Sequence, residues 1–64
     1  MELNERLSRW REGNGWSVEV AAVKLGISGS SLRNYENGSE PKNRVVRDRI
    51  ERVLTAWERS DAKA

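Results

Sequence analysis

The sequence contains no cysteine and no histidine. The first absence removes disulfides and thiolate metal sites. The second removes the commonest metal ligand and the commonest general base. A Gly-rich phosphate loop is also missing, and no spacing brings Glu19, Glu36 or Asp48 beside a nucleophile or a metal ligand. The pattern therefore points away from an enzyme and calls for no cofactor, no metal and no small-molecule ligand. Long apolar runs are lacking too: Val20-Ala21-Ala22-Val23 is the longest, far short of a membrane span. The opening Met1-Glu2-Leu3-Asn4-Glu5 has neither the basic start nor the apolar block of a signal peptide. The expectation is a soluble, cytoplasmic chain with no membrane partner.

What remains is a chain of 64 residues in which 34% are charged and 36% hydrophobic, with three tryptophans and one tyrosine as anchors that disordered chains usually lack. This length predicts a single domain over residues 1–64. Such a domain buries only about 60% of its unfolded surface, which leaves a small stability margin and makes self-association useful. Twelve basic residues against ten acidic ones give a net charge of +2, which permits a nucleic-acid partner without demanding one.

The apolar residues repeat with a helical period almost throughout. Leu3, Leu7 and Trp10 form a stripe on a first helix of about residues 3–12, which Gly13-Asn14-Gly15 stops. Ser17 is a good N-cap for a second helix running to about Leu25, with Val18, Ala21, Ala22 and Leu25 on one face. Trp16, just ahead of that cap, is placed to staple the helix start. Gly26 ends the second helix, and Ser28 caps a third that extends to about Glu36 with Leu32 and Tyr35 facing inward. Asn37-Gly38-Ser39-Glu40-Pro41 reads as a loop. Val46, Ile50, Val53, Leu54 and Trp57 then trace the inner stripe of a long helix over about 43–59, with a frayed end at 60–64. No stretch alternates with period two, so the fold class is all-α with four or five helices.

Two short helices joined through one glycine are the sequence form of a helix-turn-helix, here over about residues 17–36. Ala22 stands where two helices would cross closely, and Gly26 supplies a tight turn without a Cβ clash. Ile27 would lie beneath the turn, and Leu32 would lock the third helix against the first two.

The segment Trp16-Ser17-Val18-Glu19-Val20-Ala21-Ala22-Val23-Lys24-Leu25-Gly26-Ile27-Ser28, followed by Leu32-Arg33-Asn34-Tyr35-Glu36-Asn37-Gly38, resembles the lambda-repressor/Cro-like helix-turn-helix family, which includes phage repressors, bacterial regulators of the xenobiotic-response type and some antitoxins. The resemblance covers roughly residues 3–55. It implies a compact five-helix DNA-binding domain that works as a homodimer on a palindromic operator, with the third helix entering the major groove. Carried over residue by residue, it places Ser28, Gly29, Ser30 and Ser31 on the leading turn of that helix and Arg33 and Asn34 on the exposed face behind. Arg33 would take guanine and Asn34 adenine, pairings worth about 1–3 kcal/mol of discrimination each. Asn37, Lys42, Asn43 and Arg44 would hold phosphates. Arg11 and Glu36 occupy the positions of an ion pair that, in such proteins, ties the first helix to the end of the recognition helix. Family members often carry glutamine at the start of the second helix and at the leading turn of the third. Here Val18, Gly29 and Ser30 stand in those places, and a glycine reads no base. Either Arg33 and Asn34 dominate the readout, or DNA shape contributes an unusual share.

Plainer roles compete for several of these residues. The serines at 28, 30 and 31 also suit a helix cap and a solvated surface. Arg47, Arg49 and Arg52 suit a solvated helix face, with Arg47–Glu51 and Asp48–Arg52 pairs one turn apart. Val53 and Trp57 lie late on the long helix and form a candidate dimer or partner surface. The alternative is that Trp57 folds back on the first helix. The leading functional reading is a sequence-specific repressor of phage or bacterial type; an antitoxin or adaptor whose main contact is another protein is the alternative.

Overall fold

A computed structural model of the chain describes residues 2–63, with side chains described through Ser60. Four helices follow one another: α1 (Leu3–Gly13), α2 (Val18–Leu25), α3 (Gly29–Glu36) and α4 (Arg44–Lys63). Their boundaries are set by local chemistry. At the end of α1 the Asn14 side-chain amide donates to the Trp10 carbonyl at 2.7 Å, beside the longer bond of 3.3 Å that the Asn14 backbone N–H makes to the same oxygen. Ser17 caps α2 by accepting from the Val20 N–H, and Ser28 caps α3 by accepting from the Ser31 N–H at 3.1 Å. At the head of α4 the Asn43 side-chain oxygen accepts from the Val45 N–H at 2.8 Å.

The helix count among the described residues is four, within the four or five expected from sequence. The final helix continues to Lys63, past the point where fraying is expected at residue 60; Ala64 lies outside the described residues. Both have one cause: no glycine or proline interrupts Arg44–Lys63, so nothing divides or stops the helix.

The core is assembled from all four elements. Leu7 and Trp10 of α1, Ala21, Ala22 and Leu25 of α2, Leu32 of α3, and Ile50 and Leu54 of α4 are buried. Each fully buried leucine or isoleucine contributes on the order of 1.5–3 kcal/mol relative to exposure. Leu3, Trp16, Val18, Ile27, Tyr35, Val46, Val53 and Trp57 are half-buried and pack against this centre. The apolar run in α2 divides as a helix requires: its two alanines face inward, while Val20 and Val23 face out at 43% and 77% exposure. α3 packs on α1 and α2, and α4 closes the other side of both.

Two contacts hold α4 to α1. The Trp57 indole lies over Gly13 so closely that a Cβ there would stand 2.8 Å from Cζ2 of the ring. Of the two placements open to Trp57 from sequence, the structure therefore has the inward one. On the same side of the molecule, the Arg6 guanidinium forms a double fork. It donates to both oxygens of Glu51 at 3.0 and 2.8 Å and to both oxygens of Glu58 at 2.9 Å. Glu51 and Glu58 are two helical turns apart on α4, so a single α1 side chain spans them. The Arg47–Glu51 pair allowed by helical spacing does not form. Glu51 turns to Arg6, and Arg47 lies 3.9 Å from Glu40 instead. The hydrogen bonds from Arg6 hold the Glu58 carboxyl below the ordinary glutamate range, and its bonds to both carboxylates push the Arg6 guanidinium above its own.

Two outcomes follow from this packing. Gly13→Ala, a change that favours a helix interior by about 1 kcal/mol elsewhere, will lower the thermal midpoint here because the Trp57 ring must move; the displaced indole N–H resonance will report it. Because the Glu58 carboxyl is depressed in the folded state, its stabilisation is complete above the ordinary value of 4.5 and is lost as pH falls through the lower, folded value. Glu58→Gln will therefore melt earlier than the parent at pH 7, and the two melting curves will converge in acid.

Candidate nucleic-acid interface

The unit formed by α2, Gly26 and α3 depends on a backbone that only glycine adopts readily. Gly26 has φ of +72° and closes α2 in the left-handed conformation, with the Ile27 N–H donating to the Ala22 carbonyl at 3.0 Å. A Cβ at this position would also stand 2.7 Å from Nη1 of Arg49, whose guanidinium lies across the turn. Helical spacing within α4 assigns Arg49 to a solvated face and gives no sign of this contact, which depends on how α4 crosses the turn.

Burial of Leu32 fixes which face of α3 points outward. Ser30, Arg33 and Asn34 are exposed on it, and Gly29 and Ser31 are half-buried. Ser28 is exposed, but its hydroxyl is committed to the helix start, accepting from the Ser31 N–H and donating to the Ser31 hydroxyl at 2.9 Å. The leading turn thus offers the Ser30 hydroxyl as its outward polar group. Arg33 is held by α2: its Nη2 donates to Glu19 Oε1 at 2.8 Å, with both side chains more than half exposed. The sequence reading did not place Glu19 beside this candidate interface. The partners are 14 positions apart on different helices, and only the crossing of α2 and α3 brings them together.

The candidate phosphate ligands lie at the end of α3 and the start of α4. Asn37 closes α3, its N–H donating to the Arg33 carbonyl at 3.0 Å, with its side chain exposed. Lys42, Asn43 and Arg44 are exposed in sequence at the head of α4. Since the Asn43 side-chain oxygen caps that helix, its amide nitrogen is the group that can donate outward. Among the described residues, Lys42, Arg44, Arg49 and Arg52 take part in no ion pair.

Beneath the exposed face, Arg11 and Glu36 are joined in a bidentate pair: Nε meets Oε2 at 2.8 Å and Nη2 meets Oε1 at 3.1 Å. The two side chains are 20% and 11% exposed. Ser8 donates to Glu36 Oε1 at 3.1 Å, and Arg11 Nη1 donates to the Trp16 carbonyl at 3.2 Å. The same guanidinium therefore binds the last residue of α3 and the loop that leads into α2. Its bonds to Glu36 raise the Arg11 pKa above the ordinary arginine value. Trp16 stands edge-on to Trp10 with ring centroids 5.1 Å apart, and the Lys24 ammonium lies 5.3 Å from the Trp16 ring centroid. Val53 and Trp57, the candidate partner surface, are half-buried against the core, so only their outer edges face solvent.

An all-helical fold in which a left-handed glycine joins two short helices, the second presenting one polar face outward, defines a helix-turn-helix protein. The family model described as Helix-turn-helix domain matches residues 2–63. The chain belongs to that family, in agreement with the lambda-repressor/Cro-like pattern of its sequence. No curated protein and no solved structure gives a significant match.

Replacing Gly26 with alanine imposes an unfavourable left-handed backbone, about 1–2 kcal/mol, while the exposed Arg49 guanidinium swings aside at little cost; a chemical-denaturation midpoint will fall accordingly. Arg11→Met leaves the largely buried Glu36 carboxylate unpaired, and the expected loss is about 2–3 kcal/mol, short of the full value for a completely buried pair. A loss within error in the same denaturation series would show that water replaces the guanidinium at no cost.

Proposed function

We propose that the chain is a sequence-specific double-stranded DNA-binding regulator, a repressor of phage or bacterial type that acts in the cytoplasm by occupying an operator. The observation that carries this reading is the outward face of α3. Ser30, Arg33 and Asn34 stand exposed on a helix whose back is fixed by Leu32 and whose end is fixed by the Arg11–Glu36 pair. That is what a recognition helix requires: side chains able to meet base edges, on a backbone that does not yield. In this reading Ser28, Gly29, Ser30, Ser31, Arg33 and Asn34 line the major groove. Arg33 pairs with guanine O6/N7 and Asn34 with adenine N6/N7.

Asn37, Lys42, Asn43 and Arg44 hold the phosphates. The unpaired cations at the head of α4 support this role: the whole chain carries only +2, but five basic residues from Lys42 to Arg52 face only two acidic ones, Asp48 and Glu51. Glu51 is bound by Arg6. Local potential, not net charge, is what a polyanion meets first. The regulator works as a homodimer on an inverted repeat, pairing through the outer edges of Val53 and Trp57 on α4. An antitoxin or adaptor that grips a different protein through these same outer edges is the alternative reading.

Selection from a random duplex pool tests the proposal, with the affinity of the winning sequence followed across salt. An enriched inverted repeat is expected, with log K falling against log salt at about −0.9 per phosphate contact. Lys42→Ala will weaken all sequences alike and reduce that slope by about one contact. Arg33→Ala will relax preference at defined positions. A pool that yields no motif, together with binding that disappears by moderate salt, would sink the regulator reading.

A further inference from the structure

Three neighbouring observations on α2 and α3 bear on how an interface with a glycine at its leading turn can read bases. Gly29 and Arg33 are four residues apart and share one face of α3. Side chains on a helix lean toward its N-terminus, so Arg33 extends back over the turn that contains Gly29. There its Nη2 meets Glu19 Oε1 at 2.8 Å, and a Cβ built on Gly29 would stand 3.9 Å from Glu19 Cγ. Gly29 carries no side chain of its own to this turn, and Glu19 holds the end of the arginine beside it.

We propose that Glu19 is a specificity-determining residue of this interface: by holding Arg33 at the outward face of α3, it makes Arg33 a reader of guanine and keeps it from serving as a general phosphate ligand. The inference rests on the DNA-binding reading above. The donor count allows it. Glu19 engages one N–H of Nη2, and the guanidinium retains its other donors for the two acceptors of a guanine edge. The charge balance favours it as well. A carboxylate fixed at the groove is repelled by phosphates on every sequence, and only a base that engages the guanidinium offsets that repulsion. An unheld arginine would be free to leave the base for the nearest phosphate.

A purely structural role does not account for the pair. The two side chains are 57% and 64% exposed, and ion pairs at such exposure contribute little to folding. The fold is held at this end by the buried Leu32 and the Arg11–Glu36 pair.

The test repeats the random-pool selection with the parent chain, Glu19→Ala, Arg33→Ala and the double variant, each checked by thermal melting. Glu19→Ala is expected to melt close to the parent and to flatten preference at the same base position as Arg33→Ala. The loss of discrimination there should be about 5- to 150-fold, and the double variant should be no worse than Arg33→Ala alone, as for two residues acting through one contact. Affinity for random duplex should hold or rise when Glu19→Ala removes the negative charge. If Glu19→Ala keeps every base preference of the parent, or tightens all sequences by one common factor, Glu19 is only a repulsive surface charge and the inference is overturned. If the parent enriches no motif, the inference is overturned together with the DNA-binding reading, and the parent's own selection separates these two failures.

Discussion

The orientation of α3 depends on one guanidinium. Arg11 reaches from the last turn of α1 to the final residue of α3 through a two-point contact and to the Trp16 carbonyl through a third bond. Three segments that do not share a helix are thereby fixed at one point, with Ser8 satisfying Glu36 further. Burial of Leu32 and the packing of Tyr35 bring α3 onto the core and set its outward face, but apolar contact alone leaves the helix some freedom to roll. A planar, charge-assisted pair has direction, and it stops that roll. The face that Leu32 turns outward, with Arg33 on it, is thereby held at its far end.

A small domain must find cohesion beyond its core, and this chain finds it in arginine–carboxylate pairs placed between helices, two-pronged at Arg6 and Arg11 and single at Arg33. Arg6 joins α1 to α4, Arg11 joins α1 to α3, and Arg33 joins α2 to α3. The pairs differ in exposure and so in consequence. Arg6 and Arg11 are mostly covered, where a planar donor held against carboxylates adds to stability, whereas the Arg33 pair is open to water and chiefly sets a position. Carboxylates drawn into these pairs no longer offset the cations around the start of α4. The near-neutral composition therefore hides an uneven surface.

Much of this was legible in the sequence, and the parts that were not share a physical reason. The serine caps at 17 and 28, the glycine turn at 26 and the inward stripes of α1 and α2 are written in spacings of three and four residues, which a helix turns into contacts regardless of what surrounds it. The helix-turn-helix followed from these, and the match over residues 2–63 agrees. The Arg6 fork, the Arg49 guanidinium over Gly26 and the Glu19–Arg33 pair join residues far apart in sequence, and helix crossing angles decide them. Within α4, local spacing suggested Arg47–Glu51, but a stronger partner on α1 took the glutamate. A fifth helix was implied by resemblance, and the uninterrupted composition of residues 44–63 argued against it in plain view.

That uninterrupted helix has a mechanical meaning. Twenty residues make a rod of about 30 Å, with Arg44 near one tip and Trp57 three to four turns further along. The two are joined by continuous helical hydrogen bonding, with no hinge to absorb a twist. Whatever grips the Trp57 end sets the azimuth of the Arg44 end, much as a key bit is set by its shaft. Each residue inserted between them would turn one tip about 100° relative to the other, so the length of α4 is itself a setting, fixed in whole residues.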